Sequence, residues 1–309
     1  MKNVIVALAL ALLAVPALAA EALDWAYPVT PKPEPKDNVI VKQMPGSSKQ
    51  YTQAQIDDGF NPPDWFPDEH PPMPPIVANG AKPVVRACAL CHLPTGNGHP
   101  ESSSLAGLPA AYLTRQMAEF KNGGRKGGRT PVMIEIAQAI SDADVRAASE
   151  YFASLKPGVW TKVIETDTVP KSYLGQGAMR FAVAGGGMEP IGQRIIVLPQ
   201  DEIRAHSRDP HSGFIDYVPV GSIAKGEALV ATGAGKSIPC AICHGQDLKG
   251  LGELPSIVGR PPTYIVRQLH DMQSGARAGP AMALMKAVVD KMTIDDMIAI
   301  AAYLGSRAP

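Results

Sequence analysis

The sequence predicts a mainly α-helical protein built of two similar helical units in tandem, with a Pro-rich N-terminal extension and a linker that contains short β-strands. Two observations carry this prediction. Residues match at a constant offset of 152 positions, and signals for the start of a helix recur in both copies. The predicted boundaries are a signal peptide at 1–19, the extension at 20–70, the first unit at 71–156, the linker at 157–219 and the second unit at 220–309.

Composition excludes several classes of protein. Of 309 residues, 45% are hydrophobic and 19% charged, which excludes disorder throughout. Basic and acidic side chains number 29 each, and a zero net charge argues against a nucleic-acid partner. Gly and Pro number 29 and 30, against 3 Trp, 8 Tyr and 6 Phe. So few aromatic side chains fill the hydrophobic cores of two units poorly. Either the chain packs loosely, or another group fills the cores.

The first residues predict export. A short positive start precedes an apolar run over 4–15, and Ala17-Leu18-Ala19 is an A-x-A cleavage site. The run is too short to span a bilayer, and no other stretch is long and apolar enough. We expect a periplasmic protein that is cleaved near Ala19 and then has no transmembrane segment.

The cysteines form two C-x-x-C pairs, and a histidine follows each pair directly. C-x-x-C-H is the attachment signature of c-type haem. Two thiols on one side of a helical turn can each add to a haem vinyl group, and the next imidazole then binds iron. A thioredoxin-like pair lacks its βαβ context, and zinc needs four ligands per site or a shared site. The sequence therefore predicts two covalently attached c-type haems, with these residues: Cys88, Cys91 and His92, and Cys240, Cys243 and His244.

The repeat also places the helices. Matched pairs include Gly107 with Gly259, Tyr112 with Tyr264 and Arg125 with Arg277. Helices are predicted near 71–80 and 220–231, over 109–121 and 261–273, and after the capping sequences Ser141-x-x-Asp144 and Thr293-x-x-Asp296.

Two methionines are the predicted sixth iron ligands. Met133 follows Thr130-Pro131 in a segment predicted to be an extended loop, and its repeat partner is Met285. Each lies 41 residues after the histidine of its motif, although Met282 remains an alternative to Met285.

The other methionine and histidine positions do not repeat. Met117 aligns with Leu269, which is typical of a core position. The remaining histidines have no histidine at the matched position or lie outside the units, and we interpret them as surface or second-helix residues: His70, His99, His206, His211 and His270.

With these motifs, the segments 71–156 and 220–309 resemble class I c-type cytochrome domains. The whole chain resembles the bacterial dihaem cytochromes c of two tandem domains. In that family a proline carbonyl accepts a hydrogen bond from the axial histidine, which implies this role for Pro255. The first unit has Ser103 there, which leaves the contact to His92 open.

The resemblance further suggests partners for the haem propionates, with surface salt bridges as the alternative: Tyr112, Arg115, Arg125, Tyr264, Arg267 and Arg277. The loop from Lys121 to Arg129 carries four basic residues, and is either a solvated loop or a docking patch for an acidic partner. With Ser103, this loop predicts a higher potential for the first haem, so that electrons enter at the second haem and leave from the first.

The segments outside the units give weaker signals. Trp25, Trp65 and Phe66 in the extension predict a strap that packs on the domains or on a partner. The apolar runs 194–198 and 214–220 predict short strands, with a hairpin as one arrangement of them.

The predicted function is electron transfer between redox proteins in the periplasm. The partners would be a dehydrogenase or other donor and a terminal oxidase or other acceptor. Alternatives are a cytochrome subunit of a dehydrogenase complex or a dihaem enzyme such as a peroxidase. Paired methionines favour the carrier, because a catalyst needs an open sixth position.

Overall fold

A computed structural model describes residues 23–29, 39–128 and 130–309. Within these ranges the chain forms twelve α-helices and nine short strands. The predicted mainly helical fold is confirmed. The predicted signal peptide and Arg129 lie outside the described residues. None of the described helices has the length and apolar character that crossing a membrane requires.

The extension packs on the linker, as a strap. Its elements are β1 (Val41–Lys42), β2 (Tyr51–Thr52) and α1 (Gln53–Ile56). Trp65 and Phe66 form a small buried cluster with Met44 and Ile56. The Trp65 indole Nε1 donates a hydrogen bond of 2.7 Å to the carbonyl of Ser207.

The first unit holds five helices: α2 (Pro75–Ala78), α3 (Cys88–His92), α4 (Ala110–Asn122), α5 (Pro131–Ala139) and α6 (Asp142–Ser154). The helix predicted near 71–80 is one turn, because Pro74 and the residues before it lack the freedom and the N–H groups that a longer helix needs. The extended loop predicted around Met133 is wrong. Pro131 sits at the first position of α5, where its fixed φ favours a helix start.

The linker forms three small sheets and one short helix. Its elements are β3 (Thr161–Glu165), β4 (Thr168–Pro170), β5 (Ser172–Leu174), β6 (Arg180–Ala182), β7 (Met188–Pro190), β8 (Ile196–Pro199), α7 (Glu202–His206) and β9 (Phe214–Val218). The sheets are β3-β9-β8, β4-β7 and β5-β6. The predicted strands are β8 and β9, which pair antiparallel. The sequence missed β3, which adds to β9 in parallel. Phe214 and Val218 of β9 belong to the hydrophobic core of the second unit.

The second unit repeats the helices of the first: α8 (Ser222–Thr232), α9 (Ala241–His244), α10 (Pro262–Ser274), α11 (Ala283–Val289) and α12 (Ile294–Ser306). Helix α8 crosses α12 closely at Gly226. A Cβ at that position would overlap the carbonyl oxygen of Ala299. The second unit and the linker share one core, whereas the first unit has its own, from Ile76 to Leu155.

The two capping sequences differ in strength. Thr293 and Asp296 form a complete capping box at α12, whereas Ser141 caps α6 by accepting from the backbone N–H of Asp144. Asp296 is fully buried, and Lys225 and Lys236 both contact its carboxylate at 2.8 Å. Burial raises the pKa of Asp296, but Lys225, Lys236 and Thr293 lower it by more, so it lies below its usual 3.8.

We expect Asp296→Ala to lower the free energy of unfolding by about 2–3 kcal/mol, because a helix cap and two ion-pair contacts are lost together. Asp144→Ala is the matched control and should cost about 1 kcal/mol or less. Guanidinium unfolding followed by circular dichroism measures both. The wild-type advantage over Asp296→Ala should be full above pH 4 and shrink as the pH falls further. Equal losses in the two variants would contradict the assignment.

Candidate haem sites and the contact between the units

The histidine of the first motif is oriented by a backbone carbonyl. His92 lies at the end of α3, and its Nδ1 is 2.8 Å from the carbonyl oxygen of Ser103. A carbonyl oxygen only accepts, so Nδ1 carries the proton and Nε2 keeps its lone pair. Burial lowers the pKa of His92, and so does nearby Arg125, against the opposing effect of Ser103. A neutral imidazole with a free Nε2 is the form that binds iron.

The second motif has the same arrangement. The Nδ1 of His244 is 2.9 Å from the carbonyl oxygen of Pro255, and burial lowers the pKa of His244. Proline is therefore not required, because the backbone of Ser103 supplies the same acceptor. The contact to His92 that the sequence left open is therefore present.

A cavity of about 420 Å³ lies in the first unit. Cys88, Cys91, His92 and Met133 all line its wall. The structure thus brings together the four residues that were predicted to hold the first haem. A largely apolar cavity with a neutral imidazole, a thioether and two thiols fits that group.

In the second unit the matched methionine occupies the matched place. Met133 and Met285 are each the third residue of a helix, α5 and α11, and these helices begin at equivalent positions of the repeat. Met282 ends the 3₁₀ turn before α11. Both Met282 and Met285 are half-buried against the core of the second unit.

The cysteines are not arranged for thiol chemistry or for zinc. All four are free of disulfides. Burial raises the pKa of Cys88 to about 12 and that of Cys240 to about 11, whereas a dithiol redox pair needs a lowered pKa. Within residues 23–29, 39–128 and 130–309, no three His, Cys, Asp or Glu side chains form a group that could hold a metal ion.

His99 is not the surface residue that the sequence suggested. It is buried in the wall of the first cavity, and neither ring nitrogen has a hydrogen-bond partner among the described residues. Burial, with Arg208 and His92 nearby, lowers its pKa to about 3, so the ring is neutral. The matched position in the repeat is Leu251, so the repeat gave no signal that His99 is buried at the first haem site.

The other histidines have structural partners. His206 also lines the first cavity and stacks on Phe181 with ring centroids 4.1 Å apart. His270 lies in α10, as predicted, and its Nδ1 is 3.0 Å from the hydroxyl of Tyr27. His70 and His211 contact carboxylates of the extension.

The two units touch through equivalent loops. The backbone N–H of Lys126 donates to the carbonyl of Ala276, and that of Ala278 donates to the carbonyl of Gly124, both at 2.7 Å. These four residues are two repeat pairs, so each unit makes the same bond to the other. The contact therefore has approximate two-fold symmetry.

Arg125 lies at the centre of this contact and is buried. Its guanidinium donates to Gln116 of its own unit at 2.9 Å and to Gln268 of the other unit at 2.8 Å. The hydroxyl of Tyr264 is 3.4 Å away. Arg125 is thus no part of a docking patch, and that interpretation of the Lys121 to Arg129 loop is wrong for it.

Arg277 makes the mirrored set of bonds. It donates to Gln268 at 3.0 Å, to Gln116 at 2.7 Å and to the hydroxyl of Tyr112 at 3.1 Å. No carboxylate of the described residues pairs with either arginine. Burial raises the pKa of Tyr264, but Arg125, Arg277 and Arg260 lower it by more. Buried Arg277 Nε and Gln116 Nε2 have no acceptor among the described residues.

The two other predicted arginines form ion pairs across the same contact. Arg115 pairs with Glu253 at 3.0 Å, and Arg267 pairs with Glu101 at 3.1 Å. These are again repeat-related pairs. The first is exposed. The second is buried, because the N-terminal segment covers it and Arg267 donates to the carbonyl of Ala26 at 2.8 Å.

Comparison with known proteins gives the family. No protein-family model matches the chain. It is 28% identical over 233 residues to the thiosulfate dehydrogenase electron acceptor of Thiomonas intermedia, covering 74% of this chain and 81% of that protein. It is 26% identical to cytochrome c4 of Pseudomonas aeruginosa, covering 74% and 86%. It is 34% identical over 71 residues to cytochrome c-554(548) of Halomonas halodenitrificans, covering 23% of this chain and 86% of that protein.

The similarity to cytochrome c-554(548) covers 86% of that relative, and each of the two longer matches covers 74% of this chain. Two c-type haems are the cofactors of such a chain. The chain belongs to the class I c-type cytochromes, as a dihaem member with two tandem domains.

Proposed function

We propose that this chain is a periplasmic dihaem carrier of single electrons, exported by its first residues. Cys88 and Cys91 attach the first haem, and His92 and Met133 bind its iron. Cys240, Cys243, His244 and Met285 have the same roles for the second haem. A haem with both axial positions filled changes little in geometry when its oxidation state changes, and His/Met ligation gives a high potential.

One observation carries this proposal. In both units the histidine of the motif donates Nδ1–H to a carbonyl eleven residues later, at 2.8 and 2.9 Å. This hydrogen bond fixes the tautomer and directs Nε2 to the iron. A methionine stands at the matched place in both helices, which favours a carrier over a peroxidase.

The buried arginines are suited to the haem propionates. Arg125 and Arg277 place two buried positive charges in the contact, and their hydrogen-bond partners are neutral. The carboxylates of Glu119 and Asp271 lie nearby but do not pair with them directly. Uncompensated buried charge is costly unless an anion joins it. The carboxylates of the two haems would supply that anion. Arg115 and Arg267 already have carboxylate partners, so we assign them to the ion pairs.

A dehydrogenase is the electron donor that we favour. The relative from Thiomonas intermedia is named as the electron acceptor of thiosulfate dehydrogenase. A periplasmic carrier of the same architecture would accept electrons from an enzyme of that kind. Mixing the reduced enzyme with the oxidised cytochrome and recording haem reduction would test it.

Met133→Ala and Met285→Ala should each convert one haem to a high-spin or differently ligated form. The potential of that haem should fall by on the order of 0.1 V, within the ~0.8 V that axial ligands span. Absorption spectra and redox titration measure both effects. Met117→Ala and Met282→Ala are the controls and should keep both low-spin spectra. Loss of a low-spin haem in Met282→Ala, with Met285→Ala unaffected, would make Met282 the ligand.

Arg125→Gln and Arg277→Gln should each lower the potentials of both haems by tens of mV. A cation near iron favours the reduced state, and at ~10 Å with an effective dielectric of ~20 its removal is worth roughly 70 mV before screening. Redox titration measures the shifts, with Arg194→Gln in the linker as the control. A change in the potential of the first haem alone would contradict the shared position of the arginines. It would support instead the prediction from the sequence that the basic loop raises the potential of the first haem.

A further inference from the structure

The linker forms part of the wall of the first haem cavity. Residues from two of its segments line that cavity together with Cys91 and His92. They are Gln176, Gly177, Met179, Ala205, His206 and Arg208. Both segments belong to the linker between the two repeats.

Arg208 anchors this wall to the haem-binding motif. Its Nη1 donates a 2.7 Å hydrogen bond to the carbonyl of Leu90, which lies between Cys88 and Cys91. Its Nε donates to the carbonyl of Ile56 at 3.0 Å, and Nη2 is 3.5 Å from Asp57. One guanidinium thus ties the linker, the extension and the first motif together.

The repeat shows what this wall covers. Leu90 is 5% exposed, whereas its partner Ile242 in the second motif is 64% exposed. His99 is 7% exposed, whereas its partner Leu251 is 59% exposed. The same surface is therefore closed beside the first motif and open, with exposed apolar side chains, beside the second.

We infer that the linker insulates the first haem, so that external redox partners exchange electrons only at the edge of the second haem. This inference rests on the proposed function. An oxidant takes one electron from the second haem, which is then re-reduced by one electron from the first. Two oxidant molecules are thus each reduced by one electron. Arg208 is the positioning residue that holds the wall in place through Leu90.

The experiment uses a matched pair of exposed residues, one directly before each predicted methionine ligand. Val132 and Leu284 are repeat partners, 41% and 74% exposed. Replacing either by lysine repels a cationic oxidant. The fully reduced dihaem protein is mixed in a stopped-flow instrument with tris(1,10-phenanthroline)cobalt(III), and haem oxidation is followed at several oxidant concentrations. Unchanged absorption spectra confirm that each variant keeps both haems.

Leu284→Lys should slow the loss of both electrons by the same factor, about two- to five-fold at moderate salt. Val132→Lys should leave both rates unchanged. In an Arg208→Ala background the wall opens, and Val132→Lys should then slow oxidation. If Arg208→Ala does not fold, Gln176→Ala is the second variant, because it removes the hydrogen bond that Gln176 in the same wall donates to Asp57 of the extension. Arg194→Ala is the linker control that should change nothing.

Slower oxidation of Val132→Lys in the otherwise wild-type protein would overturn the inference, because the first haem would then react directly. An unchanged rate for Val132→Lys in the Arg208→Ala background would remove the assigned role of Arg208. Neither result would affect the proposed function. The proposed function fails instead if the protein does not give up two electrons, one from each haem, to the oxidant.

Discussion

The burial of two arginines between the units is the constraint on which the arrangement of the rest depends. Arg125 and Arg277 share Gln116 and Gln268 as acceptors, so neither unit can move without breaking the bonds of the other. Close approach of the loops requires glycine on both sides. A Cβ at Gly127 would overlap the carboxylate of Asp271, and one at Gly279 would overlap that of Glu119. These two clashes are repeat-related as well, so symmetry extends from the charges to the packing.

The space for haem explains why the chain has so few aromatic residues. The first unit buries a modest apolar core, and the space between its motif and its methionine helix is a cavity rather than packed side chains. A haem supplies the missing apolar mass there. Its charged groups then need cations at the edge of the cavity, which Arg125 and Arg277 offer from a position shared by both units.

Local signals in the sequence were sufficient for the parts of the fold that repeat. The motifs, the helices α4, α6, α10 and α12, and the caps at Ser141 and Thr293 follow from residues a few positions apart. Three-dimensional contacts decided the rest. Strand β3 forms because β9 offers it an edge, and the environments of His99 and Arg125 depend on chain segments far away in sequence. Arg125 looked like a surface cation because neither of its cross-unit acceptors is near it in sequence.

Two copies of one domain become different when the chain between them covers the haem site of only one. The linker shares its core with the second unit but also covers the first cavity, through Met179 and Arg208. The strap then fixes the linker from outside, since Trp65 bonds Ser207 next to the anchoring arginine. An insertion can therefore divide the labour of two similar haems without altering a ligand. The contact through Arg125 and Arg277 keeps the two haem sites coupled. The linker decides which of the two haems is exposed to solvent.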